Sequence, residues 1–273
     1  MKEFLREQIE RRPSVPLKRS LVREYLQARV LQALQDAGAF LTWAFMGGTS
    51  LRFLYAIARY SEDLDFALVE PGKECRFEQV LQRIRSAFEA EDYALSIKAS
   101  PAKAEKAAFV KFPGLLYELG LSAHRTETCS VKIEIDTNPP TGAVTETTIV
   151  RRFVTVNLLH HDRASLLAGK LNAILSRRYT KGRDIYDLVW FLSDRSWPAP
   201  NLALLNAGLQ QTGWPGPVIT AGNLRQSLAE RLAKLDWAAV RNDLQPFLER
   251  QEDLALVTQQ NCMQLLAARD TWG

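Results

Sequence analysis

The sequence predicts an α+β protein in which a mixed sheet with flanking helices is followed by a mostly helical C-terminal part. Short apolar runs with alternating polar residues recur between residues 41 and 158, and helical segments separate them. After about residue 160 the apolar residues recur at helical spacing instead. No internal repeat or low-complexity tract interrupts either part. We therefore divide the chain into residues 1–157 and residues 158–273.

Helices and strands are predicted to alternate in the first part. Residues 20–38 carry an apolar stripe at helical spacing between the N-capping residue Ser20 and the terminating residue Gly38. In chain order, the remaining predicted elements are a strand at 41–46, a helix that begins at Thr49 or Ser50, a strand at 62–69, a helix at 77–91, strands at 93–98, 107–112, 115–121 and 130–136, and one or two strands within 145–158. The turn NPPTG at 138–142 precedes the last of these.

The second part is predicted to be helical. Helices are expected at 162–178 and 184–193, and three more between about 224 and 270. The stretch 196–222 is rich in proline and glycine, which break regular structure. We therefore predict a long ordered loop there.

Composition is that of an ordinary globular protein, with 47% apolar and 24% charged residues. The charged N-terminal segment has no apolar core of a signal peptide, and no uninterrupted apolar run is long enough to span a membrane. Three well-separated cysteines indicate reduced thiols, not a disulfide framework or a zinc site. We therefore expect a cytoplasmic protein without a membrane anchor.

Two acids in the strand 62–69 require an explanation, because like charges on one strand face repel. Asp63 and Asp65 project from the same face, roughly 6.6–6.8 Å apart along the strand. Such a pair is stabilised by a cation between the carboxylates. A hard divalent ion such as Mg²⁺ binds a few carboxylates together with substrate phosphate oxygens, so the pair indicates a metal site. The alternative interpretation is an exposed strand face that simply carries acids.

A second strand strengthens the metal interpretation. In the predicted strand 130–136, Lys132, Glu134 and Asp136 share one face. If this strand lies beside strand 62–69, it adds a third carboxylate to the first two. Three acids from two strands suit a two-metal phosphoryl-transfer site.

A glycine pair lies upstream of the acids, between a strand and a helix. Gly47 and Gly48 in the sequence GGTS allow backbone N–H groups to approach a phosphate closely, and a helix N-terminus favours an anion. The alternative interpretation is a tight turn. The spacing to the first aspartate, with one short helix between, favours the phosphate interpretation.

Basic residues are concentrated in residues 151–195, which contain nine Lys or Arg and four Asp. Such an excess is either a solvated helix face or a surface that meets the phosphates of a nucleotide or a nucleic acid.

Several segments together resemble a known superfamily. GGTSLR (47–52) and RYSEDLDF (59–66) resemble the signature of the polymerase-β-type nucleotidyltransferases, and more narrowly the AbiEii/AbiGii toxin family, which includes the MenT toxins of toxin–antitoxin systems. VKIEIDTNPP (131–140) is similar to the middle motif of that family, and LLAGKLNAILSRRYTKGRDIYDL (166–188) to its later motif. The resemblance implies a polymerase-β-like nucleotidyltransferase domain, followed by a helical domain that contributes a Lys and an Arg-Asp motif to the active site.

The resemblance also implies a metal site. Asp63 and Asp65 would be catalytic ligands of Mg²⁺, with Mn²⁺ as a substitute, and an NTP would be the substrate. Glu134 is the first choice for the third ligand. Asp136 shares its face, so the choice between these two acids stays open at this point.

Further residues would bind the nucleotide. Lys170 is implied to be catalytic as a point charge on the triphosphate. The full implied nucleotide-binding set is Gly47, Gly48, Thr49, Ser50, Arg52, Arg59, Lys170 and Arg183. For Arg52 and Arg59, the alternative is a salt bridge to Glu62 or to an exposed acid.

Asp184 and Asp187 are three residues apart on a predicted helix, so their side chains are neighbours. One of them, with Asp184 as the implied catalytic residue, would position the acceptor hydroxyl or orient Lys170. The alternative is a helix cap combined with a salt bridge to Arg183.

The resemblance implies transfer of a nucleoside monophosphate to an acceptor such as the 3′ end of tRNA, which would block translation. It also implies a cognate antitoxin as partner, and the absence of heptads or of an apolar seam suggests a monomer. One alternative is a transferase of the same fold that acts on a small molecule or a protein. Another is a non-catalytic nucleotide- or RNA-binding module, in which three carboxylates would only repel the ligand.

Overall fold

The computed structural model describes residues 2–100 and 105–269. The elements up to residue 161 are α1 (Lys2–Glu10), α2 (Val15–Asp36), β1 (Trp43–Met46), α3 (Gly47–Tyr55), β2 (Asp63–Leu68), α4 (Phe77–Glu89), β3 (Ser96–Ala99), β4 (Glu105–Pro113), α5 (Leu115–Glu118), β5 (Thr128–Asp136), β6 (Thr145–Arg151) and β7 (Thr155–His161). They are followed by α6 (Arg163–Ser176), α7 (Gly182–Ser193), α8 (Leu202–Gln211), α9 (Ala221–Ala233), α10 (Trp237–Leu244) and α11 (Gln259–Ala267). Short 3₁₀ turns lie at Ala39–Leu41, Gln245–Phe247 and Gln251–Leu256.

The chain forms two compact units. The first comprises Met1–Ala56, Tyr60–Pro139 and Thr147–His160, and the second comprises Ile57–Arg59, Pro140–Glu146 and His161–Gly273. Two short segments of residues 1–157 therefore group with the helical unit, which a linear division after residue 157 does not describe. That boundary stays a prediction.

A seven-stranded mixed sheet has the order β3-β4-β5-β2-β1-β7-β6. Its central strand β2 pairs antiparallel with β1 and parallel with β5, while β1 also pairs parallel with β7. With helices beside the sheet and a helical C-terminal part, the predicted α+β class is confirmed. The sheet brings β2 and β5 together although β3 and β4 lie between them in the sequence.

The core of the first unit forms on one face of the sheet. Val131, Ile133 and Ile135 of β5 are fully buried, whereas the residues between them are half-buried. Helix α2 packs against both α4 and β5. Each large apolar side chain buried in this way contributes about 1.5–3 kcal/mol to the free energy of unfolding. The alternating pattern therefore determines which face of β5 carries its acids.

Several sequence predictions of secondary structure are wrong. The helix α2 begins at Val15 with Ser14 at the N-cap position, so Ser20 lies inside the helix and does not cap it. Residues 115–121, predicted as a strand, form the short helix α5 and a turn, because Leu115, Leu116 and Leu119 are buried at helical spacing. The predicted loop at 196–222 contains the helix α8. This helix is capped by Asn201, whose Oδ1 accepts a hydrogen bond from the Leu204 N–H at 3.1 Å.

No helix in the described ranges 2–100 and 105–269 is both long enough and apolar enough to cross a membrane.

In the second unit, the N-terminus of α7 lies against α10. A Cβ at Gly182 would overlap the carbonyl oxygen of Val240 and come within 2.9 Å of the backbone nitrogen of Leu244. The Gly182 N–H also donates to Asp243 Oδ2 at 2.7 Å. Only glycine permits this approach between the two helices.

We expect Gly182→Ala to lower the free energy of unfolding by about 1–3 kcal/mol, because the added methyl group must separate α7 from α10. Urea denaturation followed by circular dichroism measures the change. Gly169→Ala is the matched control: Gly169 lies in α6 with no heavy atom within 4 Å of its added Cβ. The control should gain up to about 1 kcal/mol from the higher helix propensity of alanine. Equal stability of Gly182→Ala and the wild type would contradict the close approach.

Candidate active site

The two aspartates lie on the central strand of the sheet. Asp63 and Asp65 are half-buried on one face of β2, and Leu64 and Phe66 are fully buried on the other. The strand therefore presents both carboxylates to the same side, as the sequence predicts.

The register between β2 and β5 places a third acid beside them. Asp65 is the Cα partner of Glu134 in this parallel pair, and Asp136 lies opposite Ala67, two positions further along. Lys132, which lies opposite Asp63, forms an ion pair with Glu134. The third acid nearest in register to Asp65 is therefore Glu134.

Asp136 has a different environment from Glu134. Its Oδ1 accepts a hydrogen bond from the Asn138 N–H at 2.9 Å. Burial raises the pKa of Asp136, and this hydrogen bond offsets the rise only in part. The carboxylate thus closes the turn that follows β5.

The donor set is chemically suited to a hard divalent ion. Carboxylate oxygens are the ligands that Mg²⁺ prefers, and it binds one or two of them together with substrate phosphates and water. Within residues 2–100 and 105–269, no group of three or more His, Cys, Asp or Glu is arranged as a metal site by the protein alone. Metal binding by Asp63, Asp65 and Glu134 therefore stays a prediction.

The glycine turn lies against Asp65. Gly47 follows β1 with φ +75°, a left-handed conformation that favours glycine. A Cβ at this position would overlap Asp65 Oδ2 and come within 3.0 Å of Asp65 Cγ. The helix α3 begins at Gly47 and not at Thr49 or Ser50 as predicted, so both glycines lie in its first turn. No side chain caps this N-terminus, whose first N–H groups lack helical partners.

The two hydroxyl residues after the glycines are buried. Thr49 Oγ1 donates to the carbonyl oxygen of Asp63, and Ser50 Oγ donates to the carbonyl oxygen of Gly47 at 2.8 Å. These hydrogen bonds attach α3 to the start of β2 and tighten the glycine turn. The phosphate contacts expected for Thr49 and Ser50 stay predictions.

Arg52 belongs to a buried ion cluster in the first unit. Its Nε donates to Glu24 Oε1 at 2.8 Å, and its guanidinium lies 4.8 Å from the centroid of the Tyr60 ring. Arg152 also bonds Glu24, at 2.6 Å, and donates to the Arg52 carbonyl oxygen at 3.1 Å. These contacts hold α3 against α2. A phosphate contact of Arg52 stays a prediction.

Glu24 was missed by sequence reasoning, although it left a signal. It lies on the buried side of α2, three residues after Leu21 and four before Ala28. An acid in the apolar stripe of a helix needs a cation in the folded protein, because an unpaired buried charge is costly.

A second ion cluster lies in the helical unit. Lys170 Nζ lies 3.0 Å from Asp184 Oδ1 and 2.8 Å from Asp187 Oδ2. Arg59 forms two hydrogen bonds of 2.6 Å with the two oxygens of Asp187. Arg177 Nη1 lies 2.6 Å from Asp184 Oδ2. We call these five residues the Lys170 cluster.

The Lys170 cluster shifts the pKa of Lys170 and of Asp184. Burial would lower the pKa of Lys170, but Asp187 and Asp184 outweigh burial and raise it. Burial would raise the pKa of Asp184, but Lys170 and Arg177 outweigh burial and lower it. Lys170 is therefore held as an ammonium by two carboxylates, which agrees with the hypothesis that these acids orient it.

Asp184 is not the capping residue of its helix. The helix α7 begins at Gly182 with Lys181 as N-cap, so the capping interpretation of Asp184 is wrong. The guanidinium carbon of Arg183 lies 4.0 Å from the centroid of the Phe247 ring. The nucleotide contact predicted for Arg183 stays a prediction.

Comparison with known proteins gives one family and two similar structures. The model of a family described as the nucleotidyl transferase AbiEii toxin of a type IV toxin–antitoxin system matches residues 29–259. A candidate nucleotidyltransferase from H. pylori is 19% identical with a TM-score of 0.49, over 91% of this chain and 96% of that one. JHP933 from Helicobacter pylori is 18% identical with a TM-score of 0.51, over 91% of this chain and 93% of that one. At this identity, the similarity to JHP933 shows a shared fold. No curated protein matches the chain significantly.

We expect Asp184→Asn to lower the free energy of unfolding by about 3 kcal/mol or more at about pH 7, because it removes a carboxylate shared by two cations. The folded-state pKa of Asp184 is lowered. The stability that Asp184 contributes is therefore present above its unfolded pKa of about 4 and is lost as the pH falls through the folded value. The difference between wild type and variant should narrow below about pH 4.

Urea unfolding over this pH range measures the effect. Glu89→Gln is the control, since Glu89 pairs with Arg85 at 3.6 Å on the exposed face of α4. That change should alter stability by less than about 0.5 kcal/mol. A constant difference between wild type and Asp184→Asn down to the lowest pH would contradict the lowered pKa.

Proposed function

Because the chain belongs to the AbiEii family of nucleotidyltransferase toxins of type IV toxin–antitoxin systems, we propose that it transfers a nucleoside monophosphate from an NTP to the 3′ end of tRNA and thereby blocks translation. The family membership makes it an enzyme, which removes the non-catalytic binding module from consideration. The metal, the acceptor and the effect on translation are the proposed parts.

One observation carries the proposal: the carboxylates of Asp63 and Asp65 share a strand face, with Glu134 in register beside Asp65. An NTP carries its own negative charge, so three acids would repel it unless a cation joins them. The acids therefore favour metal-assisted phosphoryl transfer over simple nucleotide binding.

Asp63, Asp65 and Glu134 would hold the Mg²⁺ ions, and Mn²⁺ in their place. Such ions neutralise the charge that develops on the phosphate oxygens and lower the pKa of an attacking oxygen. The register supports Glu134 over Asp136, because Asp136 lies two positions further along β5 and closes a turn.

Backbone groups would hold the phosphates. The N–H groups of Gly47 and Gly48 open α3 next to Asp65, and the positive end of a helix dipole favours an anion there. Lys170 as a triphosphate contact, and Arg59 and Arg183 as nucleotide contacts, rest on the family resemblance. For Lys170, the two carboxylates that keep it protonated support a role as a fixed point charge.

The reaction is an in-line displacement at the α-phosphorus. An acceptor hydroxyl loses its proton and forms a bond to the α-phosphorus, while the bond from that phosphorus to the bridging oxygen of the β-phosphate breaks. Pyrophosphate leaves with the electron pair of the broken bond. The protein mainly positions the reactants and stabilises the developing charge.

The proposed partners follow from the same family. An NTP is the donor, tRNA the acceptor, and an antitoxin the cognate partner, with the protein acting as a monomer in the cytoplasm. The basic side chains of residues 151–195 support an RNA acceptor, although several of them are bonded to acids within the protein.

We expect Asp65→Asn to lower nucleotide transfer at least about 100-fold, because it removes a carboxylate that would hold the metal ion while keeping the side-chain shape beside Gly47. The measurement incubates the protein with Mg²⁺, total tRNA and each of the four NTPs, radiolabelled in turn at the α-phosphate. Asp36→Asn, at the exposed C-terminal end of α2, is the matched control and should retain full transfer.

Label in RNA that depends on Asp65 would support the transferase and identify both substrates. Label on a protein or a small molecule instead would replace tRNA as the acceptor. Absence of transfer to any acceptor, with NTP bound, would contradict the proposed reaction.

We expect Glu134→Gln to reduce transfer far more than Asp136→Asn, because only Glu134 is in register with Asp65. Both changes remove one carboxylate from the same strand face and so control for each other. Transfer rates and the Mg²⁺ concentration for half-maximal transfer measure the effect. A larger loss in Asp136→Asn would assign the third ligand to Asp136.

A further inference from the structure

The loop between α6 and α7, residues 177–181 with the sequence RRYTK, displays an aromatic ring among cations. Tyr179 is 76% exposed, which makes it the most exposed aromatic side chain in the described part of the chain. The guanidinium of Arg178 lies 5.4 Å from the centroid of its ring. The ring and its neighbouring guanidinium are therefore accessible to a ligand.

The loop backbone is fixed, although its side chains are exposed. Arg231 of α9 donates through Nε to the Ile174 carbonyl oxygen at 2.9 Å. Through Nη2 it donates to the Arg177 carbonyl oxygen at 2.5 Å and to Thr180 Oγ1 at 2.9 Å. The close packing of Gly182 against α10 fixes the other end. The ring is therefore presented on an anchored loop, so that a ligand does not have to order the backbone.

The cations of the loop differ in their partners. Arg177 is bonded to the buried carboxylate of Asp184. Within residues 2–100 and 105–269, neither Arg178 nor Lys181 has an acidic partner, and both are exposed. Arg178 thus lies beside the Tyr179 ring, and Lys181 follows two residues later in the same loop. The nearest acid in sequence, Asp184, belongs to the Lys170 cluster, and Asp243 accepts a hydrogen bond from the Gly182 N–H at the end of the loop.

We propose that this loop contacts a single-stranded part of an RNA, with Tyr179 as the surface on which an unpaired base stacks and Arg178 and Lys181 as contacts to the flanking phosphates. This inference rests on the proposed function, for which it names an RNA-binding surface. Aromatic rings with neighbouring cations are the recurrent means of binding single-stranded nucleic acid, because every base has a flat face and every linkage a charge.

The chemistry favours RNA over two other ligands. An acidic protein surface would also use these side chains, but the proposed acceptor is an RNA and residues 151–195 carry nine Lys or Arg against four Asp, which favours a polynucleotide. A free NTP would gain most from a concave site, whereas Tyr179 stands largely in solvent. A flexible single-stranded RNA, in which bases and phosphates alternate, would contact Tyr179, Arg178 and Lys181 at the same time.

The test measures the affinity of the full chain for a short unstructured RNA and for a blunt RNA duplex, by fluorescence anisotropy over a range of salt concentrations. Tyr179→Ala should weaken binding to the unstructured RNA about tenfold and leave duplex binding nearly unchanged, because only unpaired bases stack. The double variant Arg178→Gln, Lys181→Gln should reduce the slope of log K against log salt by about 1.4, since each lost phosphate contact contributes about 0.7 on a single strand.

A matched control exists in the first unit. Arg125 lies 4.9 Å from the centroid of the exposed Tyr117 ring, so the chain carries a second surface Arg–Tyr pair. Tyr117→Ala combined with Arg125→Gln should leave both the affinity and the salt slope unchanged. Circular dichroism and thermal unfolding of each variant confirm that its fold is intact, as expected for exposed side chains.

The outcomes separate this inference from the proposed function. If the wild type labels tRNA but the loop variants bind RNA as tightly as the wild type and with the same salt slope, the loop surface is refuted and the transferase stands. If the wild type labels no RNA, the proposal that tRNA is the acceptor is refuted. The anisotropy measurements still show whether the loop binds single-stranded RNA. An equal loss from the Tyr117 and Arg125 control would also refute a specific role for the loop.

Discussion

The close approach of Gly47 to the carboxylate of Asp65 is the constraint on which the candidate site depends. A carboxylate in the middle of a sheet needs space, and the residue that follows the neighbouring strand, Gly47, supplies it because it has no side chain. The same residue opens α3, so the end of β1, the start of the helix and the acid face of β2 are determined together. The hydroxyl of Thr49 attaches that helix to the β2 backbone at Asp63. The positions of the two acids and of the glycine turn are therefore fixed by the same contacts.

Charge burial follows a consistent rule in the two units. Each buried acid is bonded to cations: Glu24 to Arg52 and Arg152, and Asp187 to Arg59 and Lys170. Removing charged groups from water costs several kcal/mol per ion, and only well-formed pairs offset this cost. The acids Asp63 and Asp65 are only half-buried. Their side chains therefore keep contact with water, which the proposed metal binding requires.

The local sequence pattern was sufficient to predict the two strands that carry the acids. The alternation in residues 130–136 correctly predicted that Glu134 and Asp136 share a face, and the DxD spacing did the same for β2. The preference for Glu134 over Asp136 rests on the register of β2 with β5. These strands are neighbours in the sheet although β3 and β4 lie between them in the sequence, so local sequence does not determine their pairing. The same holds for Arg59 and Asp187, which are 128 residues apart. Helix α8 was missed because the prolines around it obscured the spacing of Leu205 and Leu209.

The Lys170 cluster also constrains which substitutions this sequence can accept during evolution. Lys170 is bonded to both acids, and each acid is bonded to a further arginine, so three cations share two carboxylates. Replacing Asp187 removes the carboxylate that pairs with the buried Arg59, and a compensating replacement has to arise 128 residues away in the sequence. Related chains that have lost Asp187 are therefore expected to have exchanged Arg59 as well, whereas loss of Lys170 alone would leave each acid with an arginine.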